Sequence, residues 1–581
     1  MTRRAMVLCR LHRASMATIV LGVTISCASA DHSDSIAAVT EPASAATTVV
    51  SLATTLEATV GSPFTYDATR NAAAFRQLRT TGLTFRVVFT PTANGLSATA
   101  GRISGVPLSA GTITATITAT DLTRRSATDV VTIVVTPPTV VLVASANSPQ
   151  GATVGSSFNF DATKGGTTFS GTSLTYAVAF SPTANGLGAV NGRIVGVPAA
   201  TGTTLVTVVA TDASGRTASN TFPIVAFGAD LTAPTMPATP FAYADATAPL
   251  PAHFSDPNGP GGAIIRQDNT PANNRTSDAG AALGRVLFYD RRLSVNDRVS
   301  CASCHQQEFA FGDTARLSTG FAGGSTGRHS MGLQNARFYQ RGRFFWDERA
   351  ATLEAQVLAP IQDATEMGMT LDNLMTKLAL SPYYATLFQS AFGTTDVTSD
   401  RVSRALAQFV RSLTSGTSKF DQAFTGGAPN FNAVFTAQEL QGQQLFNGPA
   451  GCVRCHTTFA HVSDDIHNTG LDAVSADVGA GQGRFKAPSL RNIAVGGRFM
   501  HDGRFTSLEQ VVEFYNSGVQ ANANLDNRLR GNGGNGGNGG NGGAQRLNLR
   551  TDEKAALVTY LRTLTDPTFL TAARFADPFT R

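Results

Sequence analysis

The sequence predicts a multidomain protein in which two all-β sandwiches are followed by a mainly α-helical part. Three observations predict this fold class. An internal repeat rich in Thr, Ala, Val and Gly fills residues 49–228, the hydrophobic period then changes to that of helices, and the helical part contains two Cys-X-X-Cys-His motifs. A chain of 581 residues is long enough for several such domains.

The first residues are typical of a secretory signal. They are basic at the start, continue with a short apolar run over 16–25 and reach a small-residue cleavage site at 28–30 (ASA). The apolar run is too short to span a bilayer. We therefore predict a signal peptide over 1–30, a linker over 31–48 and export to the periplasm or cell envelope.

Charge and cysteine usage agree with export. The net charge of +5 is concentrated in the predicted signal, so it gives no indication of a nucleic-acid partner. A lipidated Cys27 is the alternative to cleavage after Ala30, although Thr24 and Ile25 fit a lipoprotein signal poorly. Cleavage leaves only the cysteines of the two Cys-X-X-Cys-His motifs, and none for a structural disulfide.

The β part is a duplicated module with predicted boundaries 49–137 and 138–228. Its period of roughly ninety residues suits one immunoglobulin-like sandwich, and the pattern resembles the Ig- or cadherin-like modules of bacterial surface proteins. No catalytic motif stands out, so we expect a spacer or adhesion arm, with binding of a surface or protein partner as the alternative. The repeated stretches are 59–64 and 153–158, 91–96 and 182–187, and 101–107 and 192–198.

A segment rich in Pro, Ala, Asp and Asn, residues 229–275, is predicted to be a linker. We then expect two helical domains, 276–430 and 431–581, with a disordered Gly/Asn loop at 531–543. Three helical stripes support these domains: Leu283, Val286 and Leu287; Val402, Leu406, Phe409, Val410 and Leu413; and Leu557, Val558, Leu561 and Leu564.

Each Cys-X-X-Cys-His motif predicts a c-type haem attachment site. Two thiols at this spacing can add to the two vinyl groups of one haem, and the adjacent imidazole can bind the iron. A zinc site built from both cysteine pairs, or two dithiol redox pairs, are the alternatives. The motifs consist of Cys301, Cys304 and His305, and of Cys452, Cys455 and His456.

Further motifs make residues 276–581 resemble the bacterial dihaem cytochrome c peroxidase family, which includes MauG. The resemblance covers about half of the chain and does not extend to the first 275 residues. It implies two covalently bound haems, one on each Cys-X-X-Cys-His motif. The motifs that carry it are 283–290 (LGRVLFYD), 345–347 (FWD), 366–368 (EMG), 442–446 (GQQLF), 485–492 (FKAPSLRN) and 501–503 (HDG).

The resemblance implies that peroxide is cleaved at the first haem, on His305. Glu366 would then be the acid/base that moves the peroxide proton, Gln356 would orient the ligand, and Pro360 would shape the wall. Without the resemblance these residues have ordinary explanations. Glu366 is then a solvated loop acid, Gln356 a surface helix residue, and Pro360 a helix kink.

The second haem, on His456, is implied to pass electrons, with Trp346 relaying them between the haems. Typical family peroxidases have a methionine ligand fourteen positions after the histidine matching His501, and here that position is Tyr515. MauG also has a tyrosine ligand there. Met500 is the alternative ligand, and Tyr515 would then be a core residue.

Two departures from the family pattern concern ligands. Many family members have a histidine after the glycine matching Gly320 that binds the first iron at rest, whereas this chain has Phe321. We therefore expect an open first haem, with His329 as a possible substitute ligand. His329 also replaces an asparagine that binds calcium in the family, beside backbone ligands matching Gly496 and Arg498, so calcium binding is left open.

The sequence therefore predicts an exported dihaem peroxidase. It would reduce hydrogen peroxide to water with electrons from a small cytochrome c or cupredoxin. One alternative is a MauG-like enzyme that uses a high-valent state to oxidise a protein residue or organic substrate. Another is a non-catalytic electron-transfer or adhesion protein.

Overall fold

The computed structural model describes residues 54–70, 75, 78, 81–137, 144–171, 173–258, 263–424, 428–463, 465–531 and 543–580. The predicted signal peptide, Cys27 and most of the Gly/Asn loop lie outside these residues. The chain forms two compact units, one within residues 1–140 and one within 141–581. Within the described ranges, every helix falls short of the length and apolarity that a membrane span requires.

The first β module is a two-sheet sandwich. Strands β1, β7, β6 and β3 form one sheet, in that order, and β2, β5 and β4 form the other. Alternate residues of β6, such as Ile113 and Ile117, face the core, while threonines between them face outward. The strands are β1 Thr54–Thr59, β2 Phe64–Asp67, β3 Thr84–Thr90, β4 Leu96–Thr99, β5 Arg102–Gly105, β6 Gly111–Thr120 and β7 Ser126–Thr136.

The second module repeats this topology strand for strand. Its larger sheet has the order β10-β13-β14-β8, with β8 parallel to β14 as β1 is parallel to β7. The predicted fold class, β modules followed by a helical part, is confirmed. The strands are β8 Gln150–Thr153, β9 Phe158–Asp161, β10 Thr175–Ser181, β11 Leu187–Val190, β12 Arg193–Gly196, β13 Gly202–Thr211 and β14 Thr217–Phe227.

Residues 229–275 were expected to be a linker, but the described stretches 229–258 and 263–275 pack on the helical part instead. The hydroxyl of Tyr243 donates to the carbonyl of Arg574 at 2.6 Å, and Nε2 of His253 lies 2.8 Å from Oδ1 of Asp421. The composition, rich in Pro and Ala, suggests a linker because it gives no indication of the contacts that Tyr243 and His253 make. Two short helices lie here, α1 Ala252–Ser255 and α2 Ala263–Arg266.

The first of the two predicted haem domains is built on the close packing of its first and last long helices. Gly284 allows this approach, since a Cβ there would lie 2.0 Å from the carbonyl oxygen of Ala405. The stripe predicted around Leu406 is buried against the same core. The helices are α3 Asp278–Tyr289, α4 Leu353–Gln362, α5 Leu371–Ala379, α6 Pro382–Phe392 and α7 Ser399–Ser412.

The second haem domain repeats the arrangement. A Cβ on Gly442 would lie 2.1 Å from the carbonyl oxygen of Ala556, so a helix that precedes the second motif again touches a later helix. Phe420 and Phe424 pack in this second core, although the predicted boundary at 430 assigns them to the first domain. The elements are α8 Lys419–Gln422, α9 Phe431–Val434, α10 Ala437–Asn447, β15 Ile466–His467, β16 Phe485–Lys486, α11 Leu508–Glu513, α12 Thr551–Arg562 and α13 Pro567–Thr571.

Candidate active site

Both Cys-X-X-Cys-His motifs fold as single 3-10 turns, Cys301–Ser303 and Cys452–Arg454. In each motif the backbone N–H of the histidine donates to the carbonyl of the first cysteine, at 3.0 Å in the first and 3.1 Å in the second. Neither pair of thiols forms a disulfide. Each turn therefore presents two thiols and one imidazole as a compact group.

The motif histidines each have one nitrogen already engaged. Nδ1–H of His305 donates to the carbonyl of Phe311 at 2.7 Å, and Nδ1–H of His456 donates to the carbonyl of His461 at 3.3 Å. Burial lowers the pKa of both imidazoles, that of His456 to about 4. Both rings are therefore neutral at physiological pH, with Nε2 left to bind a metal.

A cavity of 530 Å³ adjoins the first motif, and the predicted distal residues Gln356, Pro360 and Glu366 line it together with His305. Gln356 and Pro360 lie four residues apart on α4, so they share one helix face. Ile361 on the same helix is buried in the core, which fixes the orientation of that face. The three distal residues predicted from sequence thus line the same cavity.

Glu366 has the environment of a proton carrier. Burial raises the pKa of its carboxyl group, the negative charge of Asp363 raises it further, and Arg349 partly opposes the shift. Its backbone N–H is held by Oδ1 of Asp363 at 3.0 Å. A buried carboxyl group with a raised pKa can give and take a proton closer to neutral pH than a solvated one.

Phe321 does not line the first cavity. Its ring packs on Gly368, where a Cβ would lie 2.5 Å from Cε1 of the phenylalanine. Its backbone N–H donates to the backbone carbonyl of Glu366 at 3.0 Å. His329 does line this cavity, and its Nδ1–H donates to the carbonyl of Ala315 at 3.1 Å. Of these two side chains, only His329 has a free ring nitrogen that could meet an iron.

A second cavity of 250 Å³ adjoins the second motif, and both candidate ligands, Tyr515 and Met500, line it. Tyr515 lies in the π-helical turn Phe514–Gly518 that extends α11. Burial raises the pKa of its hydroxyl, and the nearby thiols of Cys455 and Cys452 add to the shift. Tyr515 and Met500 therefore both face the second cavity, and Tyr515 lies near both motif thiols.

Trp346 lies between the two sites, because it lines both cavities. Its indole N–H donates to the carbonyl of His329 at 2.7 Å, and its own carbonyl accepts from the backbone N–H of Lys486 at 2.8 Å. Lys486 also lines both cavities, and burial lowers its pKa to about 7. Lys486 has no separate role in the sequence-based prediction, although it lies inside the family motif 485–492.

Two other histidines of the second domain are structural. His461 is engaged at both ring nitrogens, by the carbonyl of Phe459 at 3.1 Å and the hydroxyl of Tyr560 at 3.0 Å. Both nitrogens of His467 are also occupied, by Asp526 and by a serine hydroxyl. Among the described residues, His, Cys, Asp and Glu side chains form no group of three or more that could hold a metal ion.

The fold and the paired sites define a two-haem oxidoreductase of the peroxidase class. Residues 278–428 match the family model described as di-haem cytochrome c peroxidase, and residues 138–226 match an Ig-like domain family. The chain belongs to the di-haem cytochrome c peroxidase family. This membership implies two haem groups.

Two of the relatives are a MauG protein and a cytochrome c peroxidase. MauG of Methylorubrum extorquens is 36% identical over 266 residues, which is 44% of this chain and 73% of the relative. Cytochrome c551 peroxidase of Nitrosomonas europaea is 33% identical over 249 residues, which is 40% of this chain and 71% of the relative. A solved MauG-like protein associated with microbial copper homeostasis is 29% identical, with a TM-score of 0.48, and covers 54% of this chain and 97% of its own.

The side-chain atoms that line each cavity are those that a covalently attached haem requires. Each cavity holds two thiols and one neutral imidazole whose second nitrogen is already hydrogen-bonded.

Proposed function

We propose that this protein reduces hydrogen peroxide to water with electrons from a small cytochrome c or cupredoxin, in the periplasm or at the cell envelope. The observation that carries the proposal is the sharing of Trp346 by two cavities, each closed by a Cys-X-X-Cys-His turn. Haem supplies the redox chemistry when bound, attached to Cys301 and Cys304 in one site and to Cys452 and Cys455 in the other.

At the first site, His305 would hold the iron of a bound haem through Nε2, and the cavity beside it would admit peroxide. Glu366 takes the proton from the inner peroxide oxygen and returns it to the outer oxygen, which then leaves as water. Gln356 orients the peroxide, and Pro360 keeps that part of the wall free of a backbone donor. The cavity that these three side chains share with His305 supports their roles.

At the second site, His456 and Tyr515 would hold the iron of a bound haem. An anionic oxygen ligand favours the oxidised metal, so this site suits the holding of oxidising equivalents. Trp346 relays electrons between the sites. The position of its indole at both cavities supports the relay.

A MauG-like activity is the second candidate, and Tyr515 favours it. A haem held partly by Tyr515 would supply a long-lived oxidising equivalent for the oxidation of a protein residue or organic substrate at a distance. The Ig-like modules would then serve as a spacer or adhesion arm that positions the enzyme near such a partner.

Steady-state kinetics with reduced cytochrome c separate these candidates. Turnover of many peroxide molecules per enzyme each second supports the peroxidase. Rapid reaction with peroxide but slow oxidation of cytochrome c supports the MauG-like activity. Failure of the holoprotein to react with peroxide would overturn both and leave an electron-transfer or adhesion role.

A further inference from the structure

The phenol of Tyr339 is a second oxidisable group at the first cavity, outside the set assigned above. Tyr339 lines the same cavity as Trp346, although its side chain is 0% exposed to solvent. Lys486 connects the two residues. Its backbone N–H donates to the carbonyl of Trp346 at 2.8 Å, and its Nζ lies 3.9 Å from the centre of the Tyr339 ring.

Tyr339 also has a dedicated proton acceptor. Its hydroxyl donates to Oε1 of Glu348, a residue that is only 4% exposed. The guanidinium of Arg341 holds both oxygens of this carboxylate, at 2.7 Å each. The acceptor therefore stays in place beside the phenol without access to bulk water.

The protonation states of this pair suit proton transfer. Burial raises the pKa of Tyr339, and the Glu348 carboxylate raises it further, so the phenol is neutral. Burial also opposes ionisation of Glu348, but the hydrogen bonds from Arg341 and Tyr339 outweigh it and lower the pKa of that carboxyl group. A neutral phenol thus donates its hydrogen bond to an ionised carboxylate, which can accept the proton.

An oxidised phenol is a very strong acid, so loss of one electron releases the proton to the nearest base. We propose that Tyr339 is a redox-active tyrosine that gives one electron to the peroxide-oxidised site through Trp346 and its O–H proton to Glu348. The O–H bond breaks, a neutral tyrosyl radical and protonated Glu348 remain, and the oxidising equivalent at the site is reduced by one electron. Reduction by the electron donor returns the proton to the phenol.

This inference rests on the proposed function, because peroxide supplies the oxidant. A radical on Tyr339 would store one oxidising equivalent at a side chain that is buried from solvent and thus protected from side reactions. A purely structural Tyr339–Glu348 hydrogen bond would stabilise the loop around Trp346 but would yield no tyrosyl radical. The two roles therefore differ in a spectroscopic signature.

The test is paramagnetic resonance of holoprotein that is freeze-quenched after one equivalent of hydrogen peroxide. We expect an organic radical whose spectrum narrows when the protein contains ring-deuterated tyrosine. Tyr339→Phe should abolish this signal, while Tyr243→Phe should keep it, because Tyr243 is also buried but lines neither cavity. Glu348→Gln keeps an acceptor oxygen but cannot take the proton, so the radical yield should fall at least tenfold.

A spectrum that is unaffected by deuterated tyrosine, or a tyrosyl signal that survives in Tyr339→Phe, would overturn the inference. If Tyr339→Phe does not fold, isotope narrowing in the wild type together with loss of the signal in Glu348→Gln decides the question. Peroxide consumption without a Tyr339 radical refutes this inference alone. Absence of any reaction with peroxide refutes the proposed function as well.

Discussion

The indole N–H of Trp346 donates to the carbonyl oxygen of His329 at 2.7 Å, and both residues line both cavities. The indole is thereby held from one side by the loop at His329 and from the other by the backbone of Lys486. A side chain fixed in this way keeps a constant distance to both sites, which is what an electron relay requires.

Trp346→Phe should uncouple the two sites. It removes the indole and its hydrogen bond but leaves the other residues that line the first cavity unchanged. We expect oxidation of reduced cytochrome c by peroxide to slow at least tenfold, with a smaller effect on the first reaction with peroxide. Stopped-flow measurement of both steps checks this. Phe344→Leu, which alters an aromatic residue of the first cavity alone, is the matched control, and equal slowing in both variants would argue against a relay.

Glu366→Gln should slow the reaction with peroxide by roughly a hundredfold or more, the usual contribution of a positioned acid/base. The wild-type rate should fall as pH is lowered through the pKa of Glu366, since protonation removes the base. Burial raises that pKa, so the fall occurs at higher pH than for a solvated carboxyl group. The Gln variant should lack this pH dependence. Glu308→Gln changes an exposed acid beside the first motif and is the control.

Tyr515→Phe should raise the reduction potential of the second haem by ~100 mV or more, a fraction of the roughly 0.8 V over which axial ligands set haem potentials. Loss of an anionic oxygen ligand destabilises the oxidised iron. Met500→Leu should leave the potential near its wild-type value. Redox titration with optical detection measures both. A sulfur-to-iron charge-transfer band in the wild type that disappears in Met500→Leu would show that the ligand was wrongly assigned.

The oxidised protein should bind cyanide without prior reduction, because Phe321 packs on Gly368 and supplies no ligand to the first cavity. His329→Ala should leave the rate of cyanide binding unchanged. Optical titration of both proteins checks this. Binding that requires half-reduction in the wild type, but not in His329→Ala, would identify His329 as a resting ligand.

Gly284→Ala should destabilise the first haem domain by about 1–3 kcal/mol, the usual cost of overpacking a core. Helix propensity alone predicts the opposite sign, since alanine is favoured over glycine in a helix interior. The cause is the Cβ position 2.0 Å from the carbonyl oxygen of Ala405. Denaturant unfolding measures the difference. Gly327→Ala, where no atom lies within 4 Å of the new Cβ, should be close to neutral.

Local patterns in the sequence predicted much of this structure. The module repeat, the helical stripes and the two motifs depend on residues close together in the chain, so they are readable without tertiary information. The packing of residues 229–275 was missed because His253 meets its partner Asp421 only across the folded chain. Tyr339 and Glu348 were missed for a similar reason, since only the fold places a buried carboxylate and an oxidisable phenol at the cavity of Trp346.

Two haems, one open and one closed by an oxygen ligand, are the basis of the proposed chemistry. The paramagnetic resonance spectrum of the purified, oxidised holoprotein tests them most directly, because it reports the spin state of both irons at once. We expect two ferric haem signals of equal intensity, a high-spin signal from the open site at His305 and a low-spin signal from the site at His456 and Tyr515. Two low-spin signals, or the signal of a single haem, would contradict this.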